Sequence, residues 1–75
     1  MARDQLKLME AAIVLAEELN FSRAARRLHI SQPALTKQVS ELESRLGVLL
    51  FNRDKQTVTL TAAGRAYIEE ATPAE

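Results

Sequence analysis

The strongest constraint on the fold is a helix with well-marked ends in the middle of the chain. Ser31 can cap its first turn, because a serine hydroxyl accepts a backbone N–H that a helix start leaves free. Pro33 follows two residues later, where its missing N–H costs nothing. Gly47 suits the left-handed position after the last turn. Between these signals, apolar residues expected in the core recur at helical spacing: Leu35, Val39, Leu42 and Leu46.

A shorter helix precedes this one. Ser22 is a good N-cap, and the residues from Arg23 to Leu28 then carry apolar side chains at helical spacing. His29 and Ile30 remain as a tight turn between the two helices. Two helices joined in this way form a helix-turn-helix unit.

The N-terminal segment carries more apolar residues than one small core needs. A helix from Arg3 to Leu19 is predicted by a first apolar stripe at Leu6, Met9, Ile13, Ala16 and Leu19. Leu8 and Leu15 belong to a second stripe on the same helix. This helix is therefore either buried on two sides, or its Leu8 and Leu15 pack on the last helix or on a partner subunit.

After the third helix the apolar period changes to that of a strand. Two short strands are predicted at Leu50–Arg53 and Thr57–Leu60, the second with Val58 and Leu60 facing inward. The polar connection at residues 54–56 contains no glycine, which favours a hairpin loop longer than two residues. The pattern predicts a β-hairpin next to the helix-turn-helix unit.

A last helix follows the hairpin. Thr61 can cap it, and it ends near Ala71 because Pro73 disfavours helical geometry in the residue before it. Gly64 weakens the helix by about 1 kcal/mol relative to alanine, so we expect close packing of another backbone there. The fold is predicted to be mainly α, a winged helix-turn-helix with a three-helix core, a two-stranded wing and a C-terminal helix.

The charges of this chain are segregated although they cancel. Its 75 residues, enough for one small domain, include 10 basic and 10 acidic ones. Between Ser22 and Arg65 eight basic residues outnumber three acidic ones, which gives this part a charge of +5. A basic middle between acidic ends indicates one face for a polyanion, and an ordinary solvated surface is the alternative interpretation. Glu41 and Glu43 are expected on a solvated or ion-paired edge.

The sequence lacks the residues that several classes of functional site require. The absence of cysteine excludes disulfides, thiolate metal sites and thiol nucleophiles. His29 has no second histidine to join it in a metal or catalytic site. The longest apolar run, Ala11–Ala16, is too short to span a bilayer, and no secretory signal is present. We predict no enzyme, no metal, no cofactor and a cytoplasmic location.

The outer face of the third helix carries hydrogen-bonding side chains. A helix fits the major groove of B-DNA, which is about 12 Å wide, and can read base edges there. Glutamine can pair with N6 and N7 of adenine, lysine can donate to O6 and N7 of guanine, and the threonine methyl can contact that of thymine. The side chains concerned are Gln32, Thr36, Lys37 and Ser40.

The stretch from Phe21 to Val39, FSRAARRLHISQPALTKQV, resembles the helix-turn-helix signature of LysR-type transcriptional regulators. The resemblance covers nearly the whole chain and continues through Leu42-Glu43, Leu46-Gly47, Leu50-Phe51, Arg53, Val58, Leu60-Thr61 and Ala63-Gly64. It implies a bacterial regulator that binds double-stranded DNA sequence-specifically. The recognition helix, about residues 32–46, would occupy the major groove, and the wing, about residues 50–60, the backbone or the minor groove.

The resemblance also implies roles for single residues. The base-reading positions are Gln32, Pro33, Thr36 and Lys37. The positions at the DNA backbone, including the wing, are Ser22, Arg23, Ser31, Gln38, Ser40, Arg53 and Lys55. Lys37 stands where many members have arginine, and Gln56 where arginine or glycine is frequent, so softer base discrimination and a weaker wing contact are expected.

The resemblance implies a division of the chain and a dimer. Residues 1–61 would form the DNA-binding domain, and residues 62–75 would begin a linker helix that pairs two subunits, although Pro73 would interrupt it. The domain that binds a small-molecule effector is expected to be absent from this chain. Candidate dimerisation residues are Leu8, Leu15 and Tyr67, on the first and last helices. Such a homodimer would read an inverted repeat.

A winged helix can instead serve as a protein–protein interaction module without DNA contact. The charge of +5 between Ser22 and Arg65 argues against this alternative, because the cores of protein interfaces are depleted of charge. An enzymatic function is disfavoured more strongly than the interaction module, since the sequence offers no nucleophile–base pair and no phosphate-binding loop.

Overall fold

The helices and strands follow one another in the predicted order. The computed structural model describes residues 3–54 and 57–71. The elements in this part of the chain are α1 (Arg3–Glu18), α2 (Phe21–Leu28), α3 (Gln32–Leu46), β1 (Phe51–Arg53), β2 (Val58–Leu60) and α4 (Ala62–Ala71). The fold is the expected mainly α winged helix-turn-helix.

Helix α1 forms the centre of the core. It packs against α2, α3 and α4, and for that reason it needs both apolar stripes. Leu8 is only 4% exposed and Leu15 is 0% exposed. The prediction that these two leucines are dimerisation residues is therefore wrong, because neither has surface to offer to a partner.

Helix α2 begins earlier than predicted. Its N-cap is Asn20, whose Oδ1 accepts the backbone N–H of Arg23 at 2.9 Å. Ser22 lies inside the first turn, so the prediction that it is the cap is wrong. The sequence offers two good caps two positions apart, and the earlier one allows the ring of Phe21 to pack against the core.

The turn between α2 and α3 is closed by two backbone hydrogen bonds. The N–H of Ile30 donates to the carbonyl of Ala25 at 3.0 Å, and the N–H of His29 donates to that of Arg26 at 3.1 Å. This is the Schellman arrangement, which needs a left-handed residue after the helix. His29 supplies it with a φ of 59°. The turn thereby fixes the direction in which α3 leaves α2.

Both ends of α3 are capped as predicted. Ser31 Oγ accepts the backbone N–H of Ala34 at 3.2 Å, and Gly47, with a φ of 75°, donates its N–H to the carbonyl of Glu43 at 2.8 Å. The inner face is formed by the buried residues Leu35, Val39 and Leu42. Leu46 was expected to join them but is 44% exposed. It lies in the last turn, where it lines an open cleft instead of the core.

The hairpin forms the predicted wing. Strands β1 and β2 are antiparallel, with Phe51 opposite Leu60 and Arg53 opposite Val58. The side chains of Val58 and Leu60 pack partly against the core, as their alternation with polar residues predicted. The connection between the strands spans residues 54–57, of which 55 and 56 lie outside the described residues.

Helix α4 is joined closely to the segment that leads into the wing. Thr61 caps it as predicted: its Oγ1 accepts the N–H of Gly64 at 2.9 Å and donates to the carbonyl of Leu49 at 2.6 Å. A Cβ at Gly64 would lie 1.9 Å from the carbonyl oxygen of Leu50. The prediction that another backbone approaches this glycine is therefore confirmed.

Candidate nucleic-acid interface

The outer face of α3 is open to solvent. The base-reading candidates Gln32, Pro33, Thr36 and Lys37 are all exposed, and so is Ser40 one turn beyond them. The opposite side of the helix is buried against the domain. The helix therefore presents these polar side chains to solvent.

A polar cleft lies between the start of α3 and the wing. Gln32 and Thr36 line it from α3, Ser22 lines it from α2, and Arg53 lines it from the wing. The structure thus brings together two predicted base-reading residues and two predicted backbone-contacting residues. Lys55, the other wing candidate, lies outside the described residues.

Two serines of this region differ in their free hydrogen-bonding capacity. The hydroxyl of Ser22 donates to Oε1 of Gln32 at 3.0 Å. Because a hydroxyl carries one proton, this donor is engaged within the protein. Ser31 Oγ accepts the N–H of Ala34, so its own proton remains available to a ligand. The contact of Ser22 with Gln32 has no counterpart in the sequence prediction.

Arg53 is held at the edge of the cleft by two contacts. Its Nη2 donates to Oε1 of Glu43 at 3.1 Å. Its guanidinium carbon lies 5.4 Å from the centre of the Phe21 ring, within the range of a cation–π contact. The side chain is still 34% exposed, so a charged group remains accessible on a fixed stem.

Glu43 is a residue whose role sequence reasoning missed. It is paired, as expected, but it is not solvated, because only 5% of it is exposed. Its Oε2 accepts the backbone N–H of Leu50 at 2.8 Å and that of Phe51 at 3.2 Å. Its position beside the apolar stripe of α3 gives no signal of this role, since both amides belong to a different element.

Most arginines near the interface are paired within the chain. Arg23 Nε lies 3.3 Å from a carboxylate oxygen of Glu18. Arg27 bonds to Glu17 at 2.8 Å and to Glu18 at 3.0 Å, and these hydrogen bonds raise the pKa of its guanidinium. Lys37 forms no ion pair with any residue of the described ranges. Its ammonium group is therefore the cation most available to a ligand on α3.

The structure separates the last two backbone-contacting candidates. Ser40 lines an open cleft with Arg53, on the side of the wing facing the end of α3. Gln38 is half-buried and shares a different cleft with Lys7 and Glu10 of α1. Ser40 therefore belongs with the residues around the wing, whereas Gln38 lies apart from them.

Comparison with known proteins identifies the family. Residues 6–65 match the family model described as "Bacterial regulatory helix-turn-helix protein, lysR family". The matched segment runs from α1 into α4 and includes the whole wing. The chain belongs to the LysR family.

Curated proteins of the LysR family are similar to this chain over most of its length. The HTH-type transcriptional regulator ClcR of Pseudomonas putida is 56% identical over 59 residues, which are 79% of this chain and 20% of ClcR. The regulator TfdS of Cupriavidus pinatubonensis (strain JMP 134 / LMG 1197) is 55% identical over 67 residues, or 89% of this chain and 22% of TfdS. The chain thus spans about a fifth of the length of these relatives.

Solved LysR-family structures share the fold. A CbnR DBD-DNA complex superimposes with a TM-score of 0.83 and 45% identity, covering 87% of this chain and 75% of the CbnR chain. A BenM DBD/catB site 1 DNA complex gives a TM-score of 0.84 and 33% identity, covering 88% of this chain and 73% of the BenM chain. Both neighbours were crystallised with DNA.

The remaining LysR-family expectations concern α4 and other kinds of site. Tyr67 packs partly against the core, and burial raises the pKa of its phenol. Within residues 3–54 and 57–71 no helix has the length and apolar character needed to span a bilayer. The same residues contain no group of three His, Cys, Asp or Glu side chains that could hold a metal ion.

Proposed function

We propose that this LysR-family domain binds double-stranded DNA sequence-specifically as the DNA-reading part of a bacterial transcription regulator. The observation that carries the proposal is the geometry of α3. Its polar face, with Gln32, Thr36 and Lys37, is exposed, while the opposite face is anchored in the core. A helix presented in this way fits the major groove.

Each part of the interface has a role in this proposal. The contacts with base edges come from the exposed face of α3, that is from Gln32, Pro33, Thr36 and Lys37. Contacts with the DNA backbone come from Ser31, Ser40, Arg53 and Lys55, and Arg23 joins them if its pair with Glu18 opens. Such backbone contacts position a protein on DNA, and base contacts specify the sequence.

The relatives support the same assignment. ClcR and TfdS are transcriptional regulators, and CbnR and BenM chains of this fold were solved in complex with DNA. The similarity to TfdS spans 67 of the 75 residues of this chain and therefore includes α3 and the wing. The chain is accordingly assigned a regulatory and not an enzymatic function, in the cytoplasm where bacterial DNA is found. Recognition of a small-molecule effector is assigned to a domain outside these residues.

We assign the pairing of two copies to α1 and α4. Leu6 is 49% exposed, and it lines a cleft with Met9, Ile13 and Ala71, which joins the two helices. This surface replaces Leu8 and Leu15 as the proposed dimerisation surface, and Tyr67 stays a candidate dimerisation residue. Two copies related by a two-fold axis would read an inverted repeat. Sedimentation with a palindromic duplex should give a complex of two chains, and a strict 1:1 complex would contradict the pairing.

A DNA titration tests the central proposal. Fluorescence anisotropy of labelled mixed-sequence duplexes at low salt should show binding, and repeated selection from random duplexes should converge on a consensus. Lys37→Ala removes a cation from the outer face of α3, and Arg45→Ala is the matched control, since Arg45 is paired with Asp4 and Glu41 instead. Absence of binding, or equal effects of both variants, would favour the protein–protein alternative.

A further inference from the structure

The contact between Ser22 and Gln32 bears on which base the domain reads. Ser22 lies in the first turn of α2, and Gln32 is the first residue of α3. The hydroxyl of Ser22 donates to Oε1 of Gln32 at 3.0 Å. Both residues line the polar cleft that also contains Thr36 and Arg53. The two helices of the helix-turn-helix unit are therefore joined by a hydrogen bond at the proposed DNA surface.

This hydrogen bond divides the amide of Gln32 into an engaged end and a free end. A glutamine amide has an oxygen that accepts and an NH₂ group that donates twice. With the oxygen bonded to Ser22, the NH₂ group is the end of this exposed side chain that is free to meet a ligand. Bidentate pairing with adenine needs the same oxygen as an acceptor, and the hydrogen bond from Ser22 occupies one of the two lone pairs of that oxygen and so disfavours the pairing.

We propose that Ser22 is a positioning residue for base recognition, and that it makes Gln32 a hydrogen-bond donor to the base. This inference rests on the proposed DNA binding and goes beyond it by naming the chemistry of the base that is read. Guanine fits best, because it presents two acceptors, O6 and N7, in the major groove. Cytosine fits worst, because it presents only the donor N4. Ser22 is therefore no longer proposed to donate a hydrogen bond to a DNA phosphate.

The experiment begins with the wild-type chain and its selected consensus. The position read by Gln32 is the one at which Gln32→Ala loses its base preference. At that position the wild type should prefer guanine over cytosine by about tenfold or more, as expected of a good side chain–base contact. Replacing that guanine by 7-deazaguanine, which lacks N7, should weaken binding by the wild type.

Three variants and one control separate positioning from other roles. Ser22→Ala should narrow the guanine-to-cytosine ratio and leave affinity for random duplex unchanged, while Ser22→Thr, which keeps the hydroxyl, should restore the ratio. Ser44→Ala is the matched control for base preference, because Ser44 is exposed on α3 and lines the other cleft, beside Ser40 and Arg53, away from Gln32. Gln32→Glu keeps acceptors for Ser22 but removes the NH₂ group, so it should shift the preference toward cytosine, whose N4 donates to a carboxylate.

The possible outcomes are distinguishable. An unchanged guanine preference in Ser22→Ala, or a failure of Gln32→Glu to shift toward cytosine, overturns the inference. An equal loss of affinity by Ser22→Ala for consensus and random duplexes also overturns it, because Ser22 would then contact phosphate. If the wild type binds no duplex at all, the proposed function itself fails, and the inference fails with it.

Discussion

The carboxylate of Glu43 accepts the backbone N–H of Leu50 at 2.8 Å and so joins the recognition helix to the segment that begins the wing. The same oxygen accepts the N–H of Phe51 at 3.2 Å, and the other oxygen accepts from Arg53 at 3.1 Å. One buried side chain therefore fixes both the path of the backbone into β1 and the position of the exposed arginine.

Glu43→Ala should destabilise the domain more than Glu43→Gln does. Alanine leaves the amides of Leu50 and Phe51 without their acceptor, at a cost of about 1–3 kcal/mol for each amide that stays buried and unsatisfied. Glutamine keeps one oxygen for these amides but presents an NH₂ group to Arg53. Urea unfolding of both variants measures the difference.

The control for this comparison is Glu41→Gln. The side chain of Glu41 is 46% exposed and pairs with Arg45, so its loss should change the free energy of unfolding by no more than about 1 kcal/mol. If Glu43→Ala were as stable as Glu41→Gln, the buried hydrogen bonds would not have the structural role assigned to them.

Gly64→Ala should also destabilise the domain, although alanine favours helices. The new methyl group would lie 1.9 Å from the carbonyl oxygen of Leu50, which forces α4 and the backbone before β1 apart. Overpacking costs about 1–3 kcal/mol, which exceeds the gain in helix propensity of about 1 kcal/mol over most of that range. Thermal unfolding, monitored by circular dichroism, gives the sign of the change in stability. A raised unfolding midpoint would contradict the close approach of the two backbones.

Lys37→Ala and Arg53→Ala should have different effects on DNA binding. Lys37 is proposed to contact a base, so its loss should cost about 1–3 kcal/mol, mainly on the consensus site. Arg53 is proposed to contact the backbone, so its loss should weaken binding to all duplexes alike. Titrations on consensus and random duplexes test this, and identical patterns for the two variants would refute the assignment.

Arg53→Ala needs a stability control. Its removal leaves the buried carboxylate of Glu43 without a cationic partner, which destabilises the wing as well as the DNA contact. Thermal unfolding of Arg53→Ala establishes the temperature range in which the variant is still folded, and the titrations belong in that range.

DNA affinity should fall steeply with salt. Phosphate contacts by Arg23, Arg53 and Lys55 would give a log–log slope of about −3 for one domain, because each neutralised phosphate contributes about −0.9. Arg23 is already paired with Glu18, and Arg53 with Glu43. These pairs make the salt dependence shallower, since each arginine exchanges a protein carboxylate for a phosphate. Anisotropy titrations between low and moderate salt give this slope, and a value near zero would exclude an electrostatic contact with the backbone.

Asp4 should titrate below its ordinary range. The side-chain hydrogen bond from Arg45 lowers the pKa of this carboxyl group. Because the folded-state pKa is lowered, the pair stabilises the domain above the ordinary pKa of aspartate, and this contribution is lost as the pH falls through the folded pKa. An NMR titration of the Asp4 carboxyl carbon measures the midpoint, which should move back toward the ordinary value in Arg45→Gln.

The features that could be predicted from the sequence are those that depend on neighbours along the chain. The cap at Ser31, the left-handed Gly47 and the cap at Thr61 all follow from local backbone chemistry. The close approach at Gly64 followed from its cost in a helix interior, which needs a compensating contact. Local rules therefore sufficed for the order of elements and for the exposed face of α3.

The features that could not be predicted depend on contacts between distant segments. Whether Leu8 and Leu15 face a partner or the core depends on how many elements surround α1. The periodicity of apolar residues along the sequence does not give that number. The choice of Asn20 over Ser22 as cap depends on where Phe21 packs. The burial of Glu43 depends on backbone amides that arrive from another element.

The contact between Gly64 and Leu50 has a mechanical consequence. The backbone of α4 rests on the carbonyl of Leu50, and that carbonyl also accepts the N–H of Thr61 at 3.0 Å. With no side chain between the two backbones at this point, a displacement of α4 acts directly on the backbone of Leu50. A tilt imposed on α4 from outside the domain would therefore load the start of the wing, where the hydrogen bonds from Leu50 and Phe51 to Glu43 hold it against α3.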